Sequence, residues 1–474
     1  MKKSVIGVLL VVFVVYFTCR CYSQTSPLLD EEALIEAETF TSLEDALKKP
    51  TKVYKLSLDE QEFATMPKAL FRLVNLQQLD MWGTGLTEIS PEIGKLKNLQ
   101  YINMGGNQIT VLPSQIGMLT NLLMLDLEGN KITKLPTEIT LLTLLNSLTM
   151  GDNQLTELPA GIGSMRSLEN LVLTNNQITS LPVTIGKLQL LVNCDLSNNK
   201  LTSLPTEIGD ATNMQIFDIN GNQLGELPET FGNLTNLPYL NVGFNRLSSL
   251  PESLSQLEFI QTLDLQSNVF TTIPAVVFKL TNLTQLNLFD NQLTSISPEI
   301  KNMERMMILN FGKNKITSVP KELFAITNLM ELHLDNNKLS TLPAEVKNLE
   351  TIQKIILNDN LFKTLVPELF MLKELKELRV RHNILTTFPA NLGDATNLVI
   401  LDCVENQIAS IPESAGKLIN LEQFNLKQNS LKTLPNTIGN CKRLAYLNLE
   451  QNAIDEVAKK TIQSYFPIDM EILF

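Results

Sequence analysis

The sequence predicts an α/β-type solenoid whose concave side is a parallel β-sheet of about 18–19 short strands, with irregular, 3-10 or short-helical returns on the convex side. Three observations predict it. The first is an interval: Asn107, Asn130, Asn153, Asn176, Asn199, Asn222, Asn245, Asn268, Asn291, Asn314, Asn337, Asn360, Asn383, Asn406, Asn429 and Asn452 recur every 23 residues without an insertion. The second is a pair of apolar columns, five and three residues before each Asn, as at Leu125 and Leu127. Alternation with period two is the mark of a strand with one buried face. The third is proline, six residues after the Asn in fourteen coils, as at Pro136 and Pro159. It is shifted by one at Pro91, Pro298 and Pro367. Proline fixes the backbone and ends a strand, so the chain turns back along the outer side.

In chain order, the first element is residues 1–23. Lys2 and Lys3 precede the apolar run Val5–Phe17, and Cys21-Tyr22-Ser23 supplies a small-x-small ending. Thirteen apolar residues fall short of the roughly 20 that span a bilayer. The segment therefore reads as a secretory signal peptide cut between Ser23 and Gln24. Two alternatives stand beside it: a lipoprotein signal acylated at Cys19 or Cys21, against which Thr18 and Arg20 speak, and a retained anchor. Removing the signal leaves 35 basic against 50 acidic residues, near −15, from −12 for the full chain. Such a charge excludes a nucleic-acid grip, which needs a basic face.

Residues 24–52 read as a linker and an N-terminal cap. Ser42 and Asp45 form a capping-box pattern that starts a helix over 42–49, with Leu43, Ala46 and Leu47 placed to cover the first coil. The coils run over 53–454. Stepping back by 23 places Thr84 and Gln61 in the Asn column, so two degenerate coils precede Asn107 and eighteen are counted in all. The Asn amide follows each strand, where it can bond unpaired backbone inside the bend; repetition makes a ladder of amides. Residues 455–474 read as the second cap: a helix over 455–465, then a nineteenth strand with Met470 and Ile472 on the two apolar columns.

The repeated L-x-L-x-x-N-x-L-x-x-L-P, as in LDLEGNKITKLP, resembles the leucine-rich repeat family, in its 23-residue LPxxIGxLxxLxxLxLxxNxL subtype. The resemblance covers roughly residues 53–454. It implies a horseshoe that binds a protein or peptide, conceivably a glycan, on its concave face, with no catalytic activity and no cofactor. The subtype occurs in Ras-linked scaffolds, plant resistance-type receptors and exported bacterial proteins. Cysteine-stapled caps, usual in animal and plant extracellular members, are missing here. With the N-terminal segment, that departure favours an exported bacterial protein, secreted, periplasmic or at the cell surface; separately, a monomer is expected. A cytoplasmic signalling scaffold and a structural cell-envelope protein are the competing readings.

Three cysteines remain in the mature chain, and all fall in core columns: Cys194 five before Asn199, Cys403 three before Asn406, and Cys441 where Leu418 stands one coil earlier. Cys403 and Cys441 are about two coil spacings apart, roughly 10 Å, which is beyond disulfide reach. No disulfide and no thiol nucleophile are expected. His333 and His382 are the only histidines, so any histidine-based catalytic set must use one of them. Neither they nor Asp335 and Asp359 nearby read as a metal site; solvated polar residues on a sheet face explain them. The sequons at Asn233 and Asn282 arise from the repeat itself.

Candidate binding residues are those outside the buried columns that are not small or polar. Trp82 and Tyr101 stand on adjacent coils near the start. Tyr239, Phe244 and Phe289, flanked by Ile216 and Ile308, make a central aromatic group. Ile356, Arg379, Arg381 and His382 make a third group around the stretch ELRVRHNILTTFP. Tyr, Trp and Arg are enriched at binding hot spots. Column reading places Arg379 beside Asp402 and Ile356, His382 between Asp359 and Glu405, and Arg381 between Asn358 and Val404 with no acid in its own column. Local charge compensation is one reading of this group. An anchor for an acidic group of a ligand, with Ile356 as apolar floor, is the other.

Overall fold

The computed structural model describes residues 28–467 and 470–474. The signal-peptide reading, and acylation at Cys19 or Cys21, lie outside the described residues.

Among the described residues, twenty strands form one sheet, and their pairings are parallel. Eighteen belong to the coils, from Lys55–Ser57 to Tyr446–Asn448. Their register repeats the sequence interval: Leu125 faces Leu148, and Leu378 faces Leu401. The residues five and three before each Asn are buried throughout, and they merge with the outer leucines into one continuous core. Each coil supplies one slice, so a coil alone would leave its leucines in water.

The convex returns are 3-10 turns, and proline caps most of them, as Pro182 does for Val183–Lys187. Glycine within these turns answers a close approach. A Cβ at Gly186 would lie 2.0 Å from the Glu207 carbonyl oxygen, and one at Gly393 would lie 1.8 Å from that of Ser414. Adjacent returns thus pack backbone against backbone.

The Asn ladder forms as the spacing implies. Asn245 Nδ2 donates to the carbonyls of Ile219, Val242 and Gly243 at 3.0–3.1 Å, and its Oδ1 accepts from the Leu224 amide at 2.9 Å. Each Asn therefore ties its own bend to the preceding coil. Thr84 keeps part of the pattern, bonding the Met81 carbonyl. Gln61 leaves it and donates to the Thr41 carbonyl in the N-terminal cap.

Helix α1 spans Glu31–Glu36 and helix α2 spans Leu43–Ala46. Ser42 Oγ accepts from the Asp45 amide at 3.3 Å, and Ala46, with Leu43 and Leu47 partly buried, packs on the first coil as expected. Two N-terminal elements were not expected. Thr39–Phe40 adds a two-residue strand, Phe40 pairing with Leu56. Helix α1, capped by Asp30, lies on the concave side.

At the other end helix α3 spans Glu456–Gln463 with Asp455 as its cap, and the last strand is Glu471–Leu473. Its register corrects the expectation. Ile472 faces Leu447, where Met470 was expected. The slip is two residues, which keeps the same side chains on the same face. Helix α3 and its turn consume more chain than a 3-10 return does.

Candidate functional site: the concave face

Four columns point outward from the sheet side of each coil: six, four, two and one residues before the Asn. Their chemistry is partly structural. In the column four before, Asp or Asn accepts the amide hydrogen two residues on, as Asp126 does from Glu128 at 3.0 Å and Asn310 from Gly312 at 3.0 Å. This is a second ladder, of Asx turns that end each strand. Sequence reasoning took these residues for solvated surface; the recurrence of Asp or Asn at that offset in most coils was the signal. Several are tied across coils, Asn241 Nδ2 donating to Asp218 Oδ2 at 3.0 Å and Asn287 Nδ2 to Asp264 Oδ2 at 3.1 Å.

Burial raises the carboxyl pKa of Asp80, Asp126, Asp218 and Asp264 above the ordinary range, because water is displaced from around the charged form. The Tyr239 hydroxyl is pushed up to about 12, by burial first and by Asp218 and Asp264 beside it.

The column one before the Asn adopts a left-handed backbone in coil after coil. Gly, Asn and Asp suit that conformation. Phe244 does not, yet it stands there with φ 51° and its side chain is 52% exposed. Tyr239, on the same coil, and Phe289, two coils on, are half-buried. Ile216 is in register with Tyr239, and Ile308 stands in the same column three strands further on.

Phe289 leans over the next coil, where a Cβ at Gly312 would meet its ring at 2.8 Å. Trp82 does the same over Gly105 and Gly106. An aromatic two before the Asn followed 23 residues later by Gly is a pairing that the sequence alone could have revealed. Tyr101 does not share an open site with Trp82. Its ring lines a pocket of about 460 Å³ with Glu31, Leu34 and Ile35 of helix α1, where Lys55 Nζ donates to the Ile35 carbonyl at 3.1 Å. Leu34 is buried there, outside the solenoid core.

The third group is more internally paired than its columns suggested. Arg379 Nε bonds Glu377 Oε1, and Arg379 Nη1 lies 3.9 Å from Asp402 Oδ2. His382 sits between Asp359 at 2.9 Å and Glu405 at 3.3 Å, as its column implied. Arg381 has no acid in its own column, but its Nε reaches diagonally to within 3.3 Å of Asp402 Oδ2. That approach is an ion pair without hydrogen-bond geometry. Ile356 is buried at 7% exposure, in register between His333 and Arg379. It is a covered floor, not an exposed apolar residue.

All three cysteines are free and buried in the core. Among the described residues, no helix is long and apolar enough to cross a membrane, and no group of three or more His, Cys, Asp or Glu is placed to hold a metal ion.

The chain matches the leucine-rich repeat region family over 91–177 and leucine-rich repeat families over 213–234, 282–303, 304–362 and 396–454. Among solved structures it is similar to a leucine-rich repeat protein of Leptospira interrogans, at 32% identity over 92% of this chain and 100% of that one, with a TM-score of 0.70. The chain belongs to the leucine-rich repeat family.

Two plant receptors also resemble this leucine-rich repeat protein. One is the ectodomain of GASSHO1/SCHENGEN3 from Arabidopsis thaliana, solved with CASPARIAN STRIP INTEGRITY FACTOR 2: 28% identity, 92% of this chain, 60% of that one, TM-score 0.53. The other is the plant peptide hormone receptor RGFR1, solved with RGF2: 26% identity, 84% of this chain, 78% of that one, TM-score 0.60. No curated protein matches the chain. The leucine-rich repeat fold commonly serves as a protein-binding module, and nothing in this member indicates catalysis.

Proposed function

We propose that this protein is an exported, non-enzymatic recognition protein of the 23-residue LPxxIG subtype, and that it binds a protein or peptide on its concave face. Phe244 is the observation that carries the reading. A bulky residue in the left-handed region costs backbone free energy, of order 1–3 kcal/mol. Four coils use Gly at the same place, Gly83, Gly106, Gly129 and Gly221. Seven other coils also hold a residue other than Gly, Asn or Asp there, as at Lys313 and Glu405, but Phe244 is the one large apolar side chain among the described coils, and it stands half out in water.

Tyr239 and Phe289 add apolar area, and Arg381, whose Nε faces Asp402, offers its Nη groups, which bond no described residue, to an acidic group of the ligand. Arg379, already bonded to Glu377, supports it. Trp82 offers a smaller platform near the start, and Tyr101 lies under α1. The plant receptors solved with their partners support this use of the fold.

Phe244→Gly tests it. That variant relieves the backbone, so its melting temperature should hold or rise, while capture of the cognate partner from a cell-surface fraction is lost. Undiminished capture by the stable variant would remove the concave aromatic group from the function. Export is tested separately by N-terminal sequencing: Gln24 at the start of the mature chain supports it, and an intact Met1 in the cytoplasmic fraction opposes it.

A further inference from the structure

The outward columns of the concave sheet divide by charge. Across the nine strands from Gln78–Asp80 to Thr262–Asp264 they carry seven acids and no Lys, Arg or His. Among the described residues, none of these seven carboxylates has a cation within ion-pair distance, although fifteen such pairs occur elsewhere. The nearest cationic column is the flank just after the Asn. There Lys131, Lys200 and Arg246 each bond a glutamine of the preceding coil, Gln108, Gln177 and Gln223, and leave the acids alone. In later coils cations join the acids in these columns: Lys313, Lys354, Arg379, Arg381 and Lys427.

A second, independent observation falls inside the acidic stretch. Strand Tyr239–Asn241 lies between the strands bearing Asp218 and Asp264. Those carboxylates are two strand spacings apart, roughly 10 Å. On the coil between them Tyr239 opens the strand and Phe244 follows it, held out in its left-handed backbone conformation. Aromatic faces flanked by carboxylates that no cation meets suit a side chain with an apolar stem and a cationic head, which combines apolar burial, cation–π attraction and ion pairing. An anionic ligand would be repelled. A neutral one would leave the carboxylates, which only neutral amide donors reach, without a compensating charge.

We propose that this acid-only stretch seats an extended, lysine- or arginine-rich segment of the partner polypeptide, centred on Tyr239, Phe244, Asp218 and Asp264. The inference rests on the concave-face reading above and names its ligand chemistry. It also sets a direction. Strand Glu377–Arg379 lies five strands beyond Thr262–Asp264, about 24 Å at roughly 4.8 Å each. An extended chain covers that span in about seven residues. The segment's basic residues therefore lie over Asp218 and Asp264, and an acidic group about seven residues away meets Arg381. The entrance beyond Asp80 is partly taken by α1, so the segment does not run the full length of the sheet.

The test is selection of a random dodecapeptide display library on the purified full-length protein at low salt. The expected outcome is enrichment of consecutive Lys or Arg, with an acidic residue about seven positions along. Enriched peptides should lose at least tenfold in affinity on Asp218→Asn/Asp264→Asn protein, and again in 0.5 M salt. Asparagine already stands in that column at Asn103, Asn310 and Asn425, so the variant should melt as a folded solenoid, which calorimetry checks.

Enrichment of neutral or acidic sequences, no enrichment at all, or binding untouched by the double variant would overturn the proposal. Neutral peptides that bind wild type but not Phe244→Gly would sink the cationic segment and leave the concave-face reading standing. If basic peptides are enriched yet bind Phe244→Gly and the Asn variant as tightly as wild type, both readings fall.

Discussion

Trp82 rests on Gly105 of the following coil: a Cβ there would lie 3.1 Å from indole Cδ1. The indole is the chain's only tryptophan and is 47% exposed, so its emission reports this one contact. In Gly105→Ala the ring must move, because the Glu128 carbonyl oxygen 3.2 Å away blocks retreat on the other side. A red-shifted emission with a small loss of stability, about 1 kcal/mol or less, is expected. An unshifted spectrum would show that the indole does not need the glycine.

The Asn ladder makes a stronger claim on stability. Replacing Asn245 by Leu leaves three carbonyls and one amide without their side-chain partner. Buried orphans cost about 1–3 kcal/mol each, though relaxation shares some of that loss. Urea unfolding should show a loss of at least about 2 kcal/mol. A midpoint equal to the parent's would remove the amide from the list of structural necessities.

Asp126 supplies a pH dependence. Burial raises its folded-state pKa, so the folded chain holds the proton more tightly than the unfolded chain does. Its penalty is therefore absent below the unfolded carboxylate value and grows as pH rises through the raised folded value. Asp126→Asn keeps the acceptor for the Glu128 amide, removes the charge, and relieves Glu128, which Asp126 also pushes up. The variant should be more stable than the parent at pH 7 and equal to it near pH 3. A difference that does not change with pH would contradict the assignment.

The thiols give a chemical check. Burial raises all three, Cys441 to about 11. Alkylating reagent at pH 8 should leave Cys194, Cys403 and Cys441 unmodified in the folded protein and modify all three in denaturant, read by peptide mass. Labelling of the native protein would place a cysteine outside the core.

Much of this was legible because one interval governs everything. A 23-residue repeat with two apolar columns, an Asn and a Pro dictates strand, bend and return together, and each coil corroborates the last. What escaped is what does not repeat. Leu34 buries itself outside the core on a helix of six residues, too short to leave a period. The two-residue strand Thr39–Phe40 has no alternation to read. Ile472 slipped by two because a shift of that size costs the pattern nothing. The candidate site was legible by column but not by diagonal. Arg381 meets Asp402 across columns, and Ile356 disappears between its in-register neighbours, because long side chains lean.

The central claim is that recognition happens on the concave sheet and that Arg381 takes part in it. The most direct measurement is the partner's dissociation constant for Arg381→Ala beside Arg166→Ala, a return-segment residue that lines a separate pocket with Lys187 and Asp210. Arg381→Ala should weaken binding at least several-fold with a nearly unchanged melting temperature, and Arg166→Ala should bind as the parent does. Unaltered binding by Arg381→Ala, with loss in Arg166→Ala, would move recognition to the other side of the solenoid and contradict the account.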